Sequence, residues 1–144
     1  MSPIRYTLLA DGSSDKCLIP IIDWVLENFN LDMARGPIGR FADRAKLKDA
    51  MRHLEPESSK LEALIPMAIR IYPCDVLFVH RDAEKDTIES RRQEIQSAAS
   101  RYTQYYVPIV PVRMTEAWLL IFEHALRCAA GNPNGKVALS MPSP

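Results

Sequence analysis

The stretch Tyr6-Thr7-Leu8-Leu9-Ala10-Asp11-Gly12-Ser13-Ser14-Asp15 decides the fold. Residues with apolar and β-prone side chains end abruptly at a run of turn formers, the pattern of a buried strand closed by a tight loop. Beyond the loop, Leu18, Ile21, Ile22, Val25, Leu26 and Phe29 recur at helical spacing. Ser14 or Asp15 is placed to cap that helix, and Pro20 falls in its first turns, where a missing N–H costs least. Strand, loop and helix in that order form the opening unit of an α/β fold.

The alternation continues outward. Gly36, Pro37 and Gly39 break the chain and leave room for a short strand near Leu31 to Ala34. From Phe41 to Leu54, Leu47, Ala50, Met51 and Leu54 form an apolar helical stripe, with Arg40, Arg44, Lys48 and Arg52 repeating every fourth residue along its flank. Ser59-Lys60-Leu61-Glu62 has the form of a capping box and opens a helix toward Arg70 that must accommodate Pro66. A second clear strand, Asp75 to Val79, leads into His80-Arg81-Asp82-Ala83-Glu84. Residues 85–101 read as an exposed helix whose narrow buried stripe is Ile88, Ile95 and Ala99. Tyr105 to Val110 reads as a further strand, which Pro108 assigns to a sheet edge or a bulge. Thr115 then caps a helix from Glu116 to Ala130, ended by Gly131.

Strands alternating with helices predict a single three-layer α/β domain of Rossmann type over residues 1–130, with a mostly parallel central sheet flanked by helices and right-handed crossovers. Residues 131–144, rich in Asn, Gly and Pro, form no clear element. Trp24 and Trp118 lie within apolar helical stretches and are expected in the core. Tyr102, Tyr105 and Tyr106 fit packing, an oligomer contact or base stacking.

Composition narrows the function. Of the 144 residues, 47% are hydrophobic and 25% charged, too apolar for a disordered tail and sufficient for one core without a metal or disulfide staple. The longest apolar run, Ala117 to Phe122, is far short of the ~20 residues of a membrane span. Asp11, Asp15, Asp23 and Glu27 in the first 30 residues argue against a signal or transit peptide. Cys17, Cys74 and Cys128 are odd in number with no CxxC spacing, which points to reduced thiols and a cytoplasmic protein. His53, His80 and His124 also lack metal-ligand spacing. Eighteen basic residues balance eighteen acidic ones, so the chain has no basic arm with which to hold nucleic acid unaided.

The acids fall in a telling place. In open α/β sheets the ligand site lies beyond the carboxyl ends of the strands. There the first strand meets Asp11 and Asp15, the second meets Asp82 and Glu84, and the third leads through Pro111-Val112-Arg113-Met114-Thr115 to Glu116. Parallel strands would gather these carboxylates at one edge, where a hard divalent cation such as Mg²⁺ is the natural neutraliser. Asp82 and Glu84, two apart in an extended segment, would face one ion together. Each acid taken alone also fits a turn, a cap or a first helical turn.

The strand–Asp11-Gly12-x-x-Asp15–helix opening, the strand–Asp82-x-Glu84 centre and the segment Glu116-Ala-Trp-Leu-Leu together resemble the Toprim fold over residues 6–122. They are most similar to an uncharacterised bacterial Toprim-like family, related to nucleases of the overcoming-lysogenization-defect type, whose members often neighbour ATPase partners in mobile or defence-type gene clusters. The segment Ala130-Gly131-Asn132-Pro133-Asn134-Gly135 is similar as well; members of that family continue further, so this chain is expected to be shortened. The resemblance implies Mg²⁺ (or Mn²⁺) chemistry on phosphodiester bonds. Asp11 takes the place of the family's catalytic glutamate, Asp82 and Glu84 stand where it has an Asp-x-Asp pair, and Asp15 and Glu116 fall on acids that support a second metal.

Two departures matter. Asp11 is one methylene shorter than glutamate, a retraction of about 1.5 Å, and Glu84 extends where the usual residue is shorter. A misplacement near 1 Å costs on the order of 10²-fold in rate. Metal binding could then survive with catalysis weak or absent; the function expected from the acids and the resemblance is metal-dependent cleavage of DNA or RNA, with Asp11, Asp82 and Glu84 catalytic. Arg44, Lys48, Arg81, Lys85 and Arg113 are placed to contact phosphate, although a solvated helix face also explains Arg44 and Lys48, and surface solvation explains Arg81, Lys85 and Arg113 equally well. The alternative is a catalytically weak or inactive interaction subunit working through an ATPase partner. A phosphotransfer domain using Asp82 as acceptor ranks last, since no Ser/Thr and Lys pair follows later strands. The zero net charge leaves a partner, an oligomer or further chain to supply the grip on nucleic acid.

Overall fold

The computed structural model describes residues 3–28, 36–51, 60–112, 127–128 and 131–138. Strand β1 (Arg5–Ala10) runs into a short 3-10 helix (Ser13–Cys17) and helix α1 (Leu18–Asn28). There follow β2 (Ile38–Asp43), α2 (Arg44–Met51), α3 (Leu61–Ile71), β3 (Val76–His80), α4 (Ile88–Ala99) and β4 (Tyr106–Ile109). The four strands form one all-parallel sheet in the order β2-β1-β3-β4, an α/β fold of Rossmann-like layering. Among the described residues no helix is long and apolar enough to cross a membrane.

Side chains explain the layers. Residues 6 to 10 of β1 are all buried, as a strand covered on both faces requires. Tyr6, Leu8 and Ala10 alternate to one side and pack against Leu18 and Ile22 of α1. Leu9 points to the other side, joining Leu77 and Val79 of β3 against Leu47, Leu64, Ile65, Ala68, Ile95 and Ala98 of the other three helices. From β1 the chain steps outward through α1 to β2, then returns past β1 through α2 and α3 to β3. Right-handed crossovers in opposite directions put their helices on opposite faces. The steps diverge between β1 and β3, so the crevice for a ligand opens at the carboxyl ends of those two strands.

Several expectations need correction. The strand beside β1 is Ile38–Asp43, taking in Phe41, which the periodicity assigned to a helix. Gly39 does not break it: a methyl group there would run into the Tyr6 ring, so glycine lets the two strands carry a large aromatic between them. That ring packs edge-on against Phe78 at 5.4 Å, and its hydroxyl donates to Asp23 Oδ1 at 2.7 Å. Residues 31–34, Arg52 and Trp118 lie outside the described residues, as does the helix expected over Glu116 to Ala130 except for residues 127–128, which are helical. Trp24 is 63% exposed rather than core, because it sits two positions from buried Ile22 and so on the opposite side of α1. Ile21 and Val25 are exposed with it, which narrows the buried stripe of α1.

Three further signals are met differently: α3 starts from Lys60 with no side-chain cap bond in place of the expected capping box, Ser14 and Asp15 lie inside the 3-10 helix that Gly12 precedes, and Ile88 of α4 is exposed while Ile95 and Ala99 are buried. β4 carries Pro108 on a sheet edge. Thr87 caps α4 by accepting from the Ser90 N–H at 3.1 Å, and α3 continues through Pro66.

Candidate functional site

A cleft of about 370 Å³ opens at the predicted edge, lined by Asp11, Arg44, Ala45, Lys48, Arg81, Asp82, Glu84 and Arg91. β1 delivers Asp11 directly after Ala10. Asp43 caps α2 by accepting from the Ala45 N–H at 2.9 Å, and Arg44 and Lys48, one helical turn apart, then share a face. Beyond β3 the pairing with the neighbouring chain continues. Arg81 N–H donates to Ile109 O at 3.0 Å and Ala83 N–H to Pro111 O at 3.1 Å, which fixes the direction of residues 81–83.

Glu84 leaves that extended path. It stands in a turn closed by the Asp86 N–H donating to Ala83 O at 2.8 Å, with a φ of 49°. A left-handed conformation is costly for a residue with a Cβ, and such strain concentrates at functional sites. Asp82 and Glu84 thus reach one cleft by way of a turn and not by strand alternation.

The acids are held differently. Asp11 lies between two guanidinium groups, with Arg44 Nη1 at 2.6 Å from Oδ1 and Arg81 Nε at 3.5 Å from Oδ2. Asp15, which is buried, accepts from the Gly12 N–H at 3.0 Å and lies 3.2 Å from His80 Nδ1. The other ring nitrogen of buried His80 is 3.6 Å from Asp82 Oδ1. Asp15 therefore does not line the cleft. The His80 ring stands between it and Asp82, within electrostatic reach of both carboxylates.

The basic side chains crowd one another. Burial pushes the Arg81 guanidinium below its ordinary value, with Arg44 adding like-charge repulsion against the attraction of Asp11. Lys48 is also pushed down, chiefly by Arg44. Arg91 is pushed up by its hydrogen bond to Glu94 Oε2 at 2.9 Å, and also pairs with Asp86 at 2.8 Å.

No family model, curated protein or solved structure matches the chain.

Of the residues picked from sequence, Asp11, Arg44, Lys48, Arg81, Asp82 and Glu84 come together. Lys85 is exposed and does not line the cleft, and Arg113 and Glu116 lie outside the described residues. Arg40 stands exposed on β2, separated from the α2 pair. The structure adds Arg91 and His80. Nothing local marks Arg91, which reaches the cleft through the packing of α4 against α3 and β4. His80 carries a signal of its own, as a polar residue ending an apolar strand two positions before Asp82.

The donor chemistry fits a hard divalent cation, since Asp11, Asp82 and Glu84 all present oxygen to one cleft. Among the described residues, no three Asp, Glu, His or Cys side chains close round a common point, and Asp11 is paired with Arg44 and Arg81. An ion held by Asp11 would share its carboxylate with these guanidinium groups or displace one of them.

Proposed function

We propose that the protein is a metal-dependent phosphodiesterase of Toprim type acting on nucleic acid in the cytoplasm, in a bacterial defence or mobile-element setting with an ATPase partner. The observation that carries this reading is the convergence of three acids and four cations on one cleft at the switch point of a parallel sheet. Acids alone would suit a cation and bases alone an anion; a phosphodiester attacked with the help of Mg²⁺ or Mn²⁺ needs both.

Asp11, Asp82 and Glu84 would hold the ion, which when bound neutralises charge on the phosphate and makes a bound water more acidic. The chain's own groups do the rest. Arg44, Lys48 and Arg81 bind and orient the phosphate, stabilising the charge that develops on its oxygens. Asp11 is the proton acceptor for the attacking water. His80, wedged between Asp15 and Asp82, sets the direction of the Asp82 carboxylate, and Glu116 is the further acid for a second ion.

Incubating the protein with single-stranded and duplex DNA and RNA in Mg²⁺, Mn²⁺ or EDTA tests this. Cleavage in either metal and none in EDTA is expected; equal products in all three would overturn it.

One observation favours a second reading. The 2.6 Å contact of Arg44 with Asp11 puts an internal cation where the ion would bind, as in an interaction subunit whose acid cluster is vestigial. That reading predicts co-purification with a partner and no calorimetric heat on titrating Mn²⁺.

A further inference from the structure

Arg81 is the cleft side chain with two buried nitrogens that its protein partners leave unsatisfied. Arg81 is only 8% exposed, yet among the described residues its Nε and Nη1 make no hydrogen bond. They stand 3.5 Å from Asp11 Oδ2 and 3.5 Å from Glu94 Oε1, close enough for attraction and too long for bonding. Both acids already have better partners: Asp11 has Arg44 at 2.6 Å, and Glu94 has Arg91 at 2.9 Å. Two buried guanidinium nitrogens without hydrogen bonds are costly and need a reason. Its planar fork matches the oxygens of a phosphate.

Three facts limit what that phosphate belongs to. The cleft volume, about 370 Å³, is near the lower end of the ~300–1,000 Å³ range of small-molecule sites and suits a nucleotide-sized group. Arg81 is also the least exposed of the cleft's three arginine side chains, at 10% against 15% for Arg91 and 19% for Arg44. A ligand must therefore enter end-on to meet it. Finally, the formal net charge of zero gives no general positive field to hold a duplex along its length. A terminal phosphate enters end-on, and at neutral pH it carries about −1.5 to −2 charge where an internal phosphodiester carries one. The mutual repulsion of Arg44, Arg81 and Lys48 is relieved more by the larger charge.

We infer that the cleft recognises a phosphomonoester at the end of a nucleic-acid strand, gripped by the buried fork of Arg81 with Arg44, Lys48 and Arg91 around it, before any metal is bound. This deepens the nuclease reading and rests on it for the nucleic-acid nature of the ligand. Recognition makes the strand end the anchor from which the chain meets the cleft acids.

The test is fluorescence anisotropy in EDTA, using the full chain and an internally labelled single-stranded DNA bearing a 5′-phosphate, a 3′-phosphate or hydroxyls at both ends. One phosphorylated end is expected to bind about tenfold tighter than the hydroxyl ends, the worth of one charge-assisted hydrogen bond. The slope of log affinity against log salt is expected at about −0.7 to −1.4, one or two phosphates of a single strand. Arg81→Lys is expected to abolish the preference, because a point charge lacks the fork. Competition locates the phosphate's source: a strand end binding tighter than a nucleoside monophosphate or inorganic phosphate places the ligand on a strand. A tighter nucleoside monophosphate overturns that part. Equal affinity for phosphate and hydroxyl ends, or a slope matching four or more phosphates, overturns the inference while leaving metal-dependent cleavage standing. Phosphate-end binding without metal-dependent cleavage does the reverse.

Discussion

Two arginines at opposite ends of the sheet meet carboxylates in opposite ways. At the amino end, Arg5 is half exposed and fully paired with Asp75. Its Nη2 donates to Oδ1 at 2.8 Å, its Nε to Oδ2 at 3.2 Å and its backbone N–H to Oδ2 at 2.9 Å. At the carboxyl end, Arg81 is buried and stands off from both of its acids. The side chain that could be solvated is bonded, and the one that cannot be is left wanting. Stability alone would arrange them the other way. The difference marks the carboxyl end as the place where the fold gives up stability to keep a charge ready.

The largest effect that would break the comparison is on stability. Replacing Arg81 by Met removes a buried charge without orphaning its acids, because Arg44 and Arg91 remain on Asp11 and Glu94. A gain in stability is expected, because the desolvation cost of a buried charge without hydrogen bonds is removed while both acids keep a partner, together with loss of phosphate-end binding. Urea unfolding checks it, and a destabilised variant would place Arg81 among ordinary structural pairs.

A smaller effect sharpens the same contrast. Glu84→Gly relieves the positive φ, offset in part by the flexibility glycine brings to the unfolded chain, for a net gain of about 0.5–1 kcal/mol. The variant is also expected to bind Mn²⁺ more weakly by calorimetry. Higher stability with unchanged Mn²⁺ affinity would remove Glu84 from the site.

The smallest effect belongs to the amino end. The hydrogen bonds from Arg5 hold the Asp75 carboxyl below the ordinary aspartate range. A depressed folded value means that the pair's contribution is complete above the unfolded pKa and is lost as pH falls through the folded one. Because both side chains are exposed, Asp75→Ala is expected to shift the melting temperature slightly at neutral pH and not at all in strong acid. A shift that persists in acid would show that packing, and not charge, holds the pair.

Much of the architecture was legible because it is local. The run from Tyr6 to Asp15, the β-rich segment ending at His80 and the Thr87 cap each declare themselves within a few residues, and together they predict parallel strands with acids after them. β2 was misread because Gly39 looks like a breaker until Tyr6 is beside it, a contact 33 positions away in sequence. Trp24 was misread because apolar periodicity gives a stripe without its width. At the site, Asp11, Asp82 and Glu84 were legible as carboxylates following strands. That Arg44 and Arg81 neutralise Asp11 was not, since the pairing depends on strand order. Nor could sequence separate the buried Arg81 from the exposed Lys85 four positions on.

The most direct test of the account is one cleavage assay run on three proteins: the wild type, Asp82→Ala at the carboxyl end of the sheet, and Asp75→Ala at the amino end. With Mn²⁺ and single-stranded DNA or RNA, the account predicts that Asp82→Ala loses about 10²-fold or more of the rate while Asp75→Ala matches the wild type. Equal cleavage by all three, or no metal-dependent cleavage by the wild type, would contradict it.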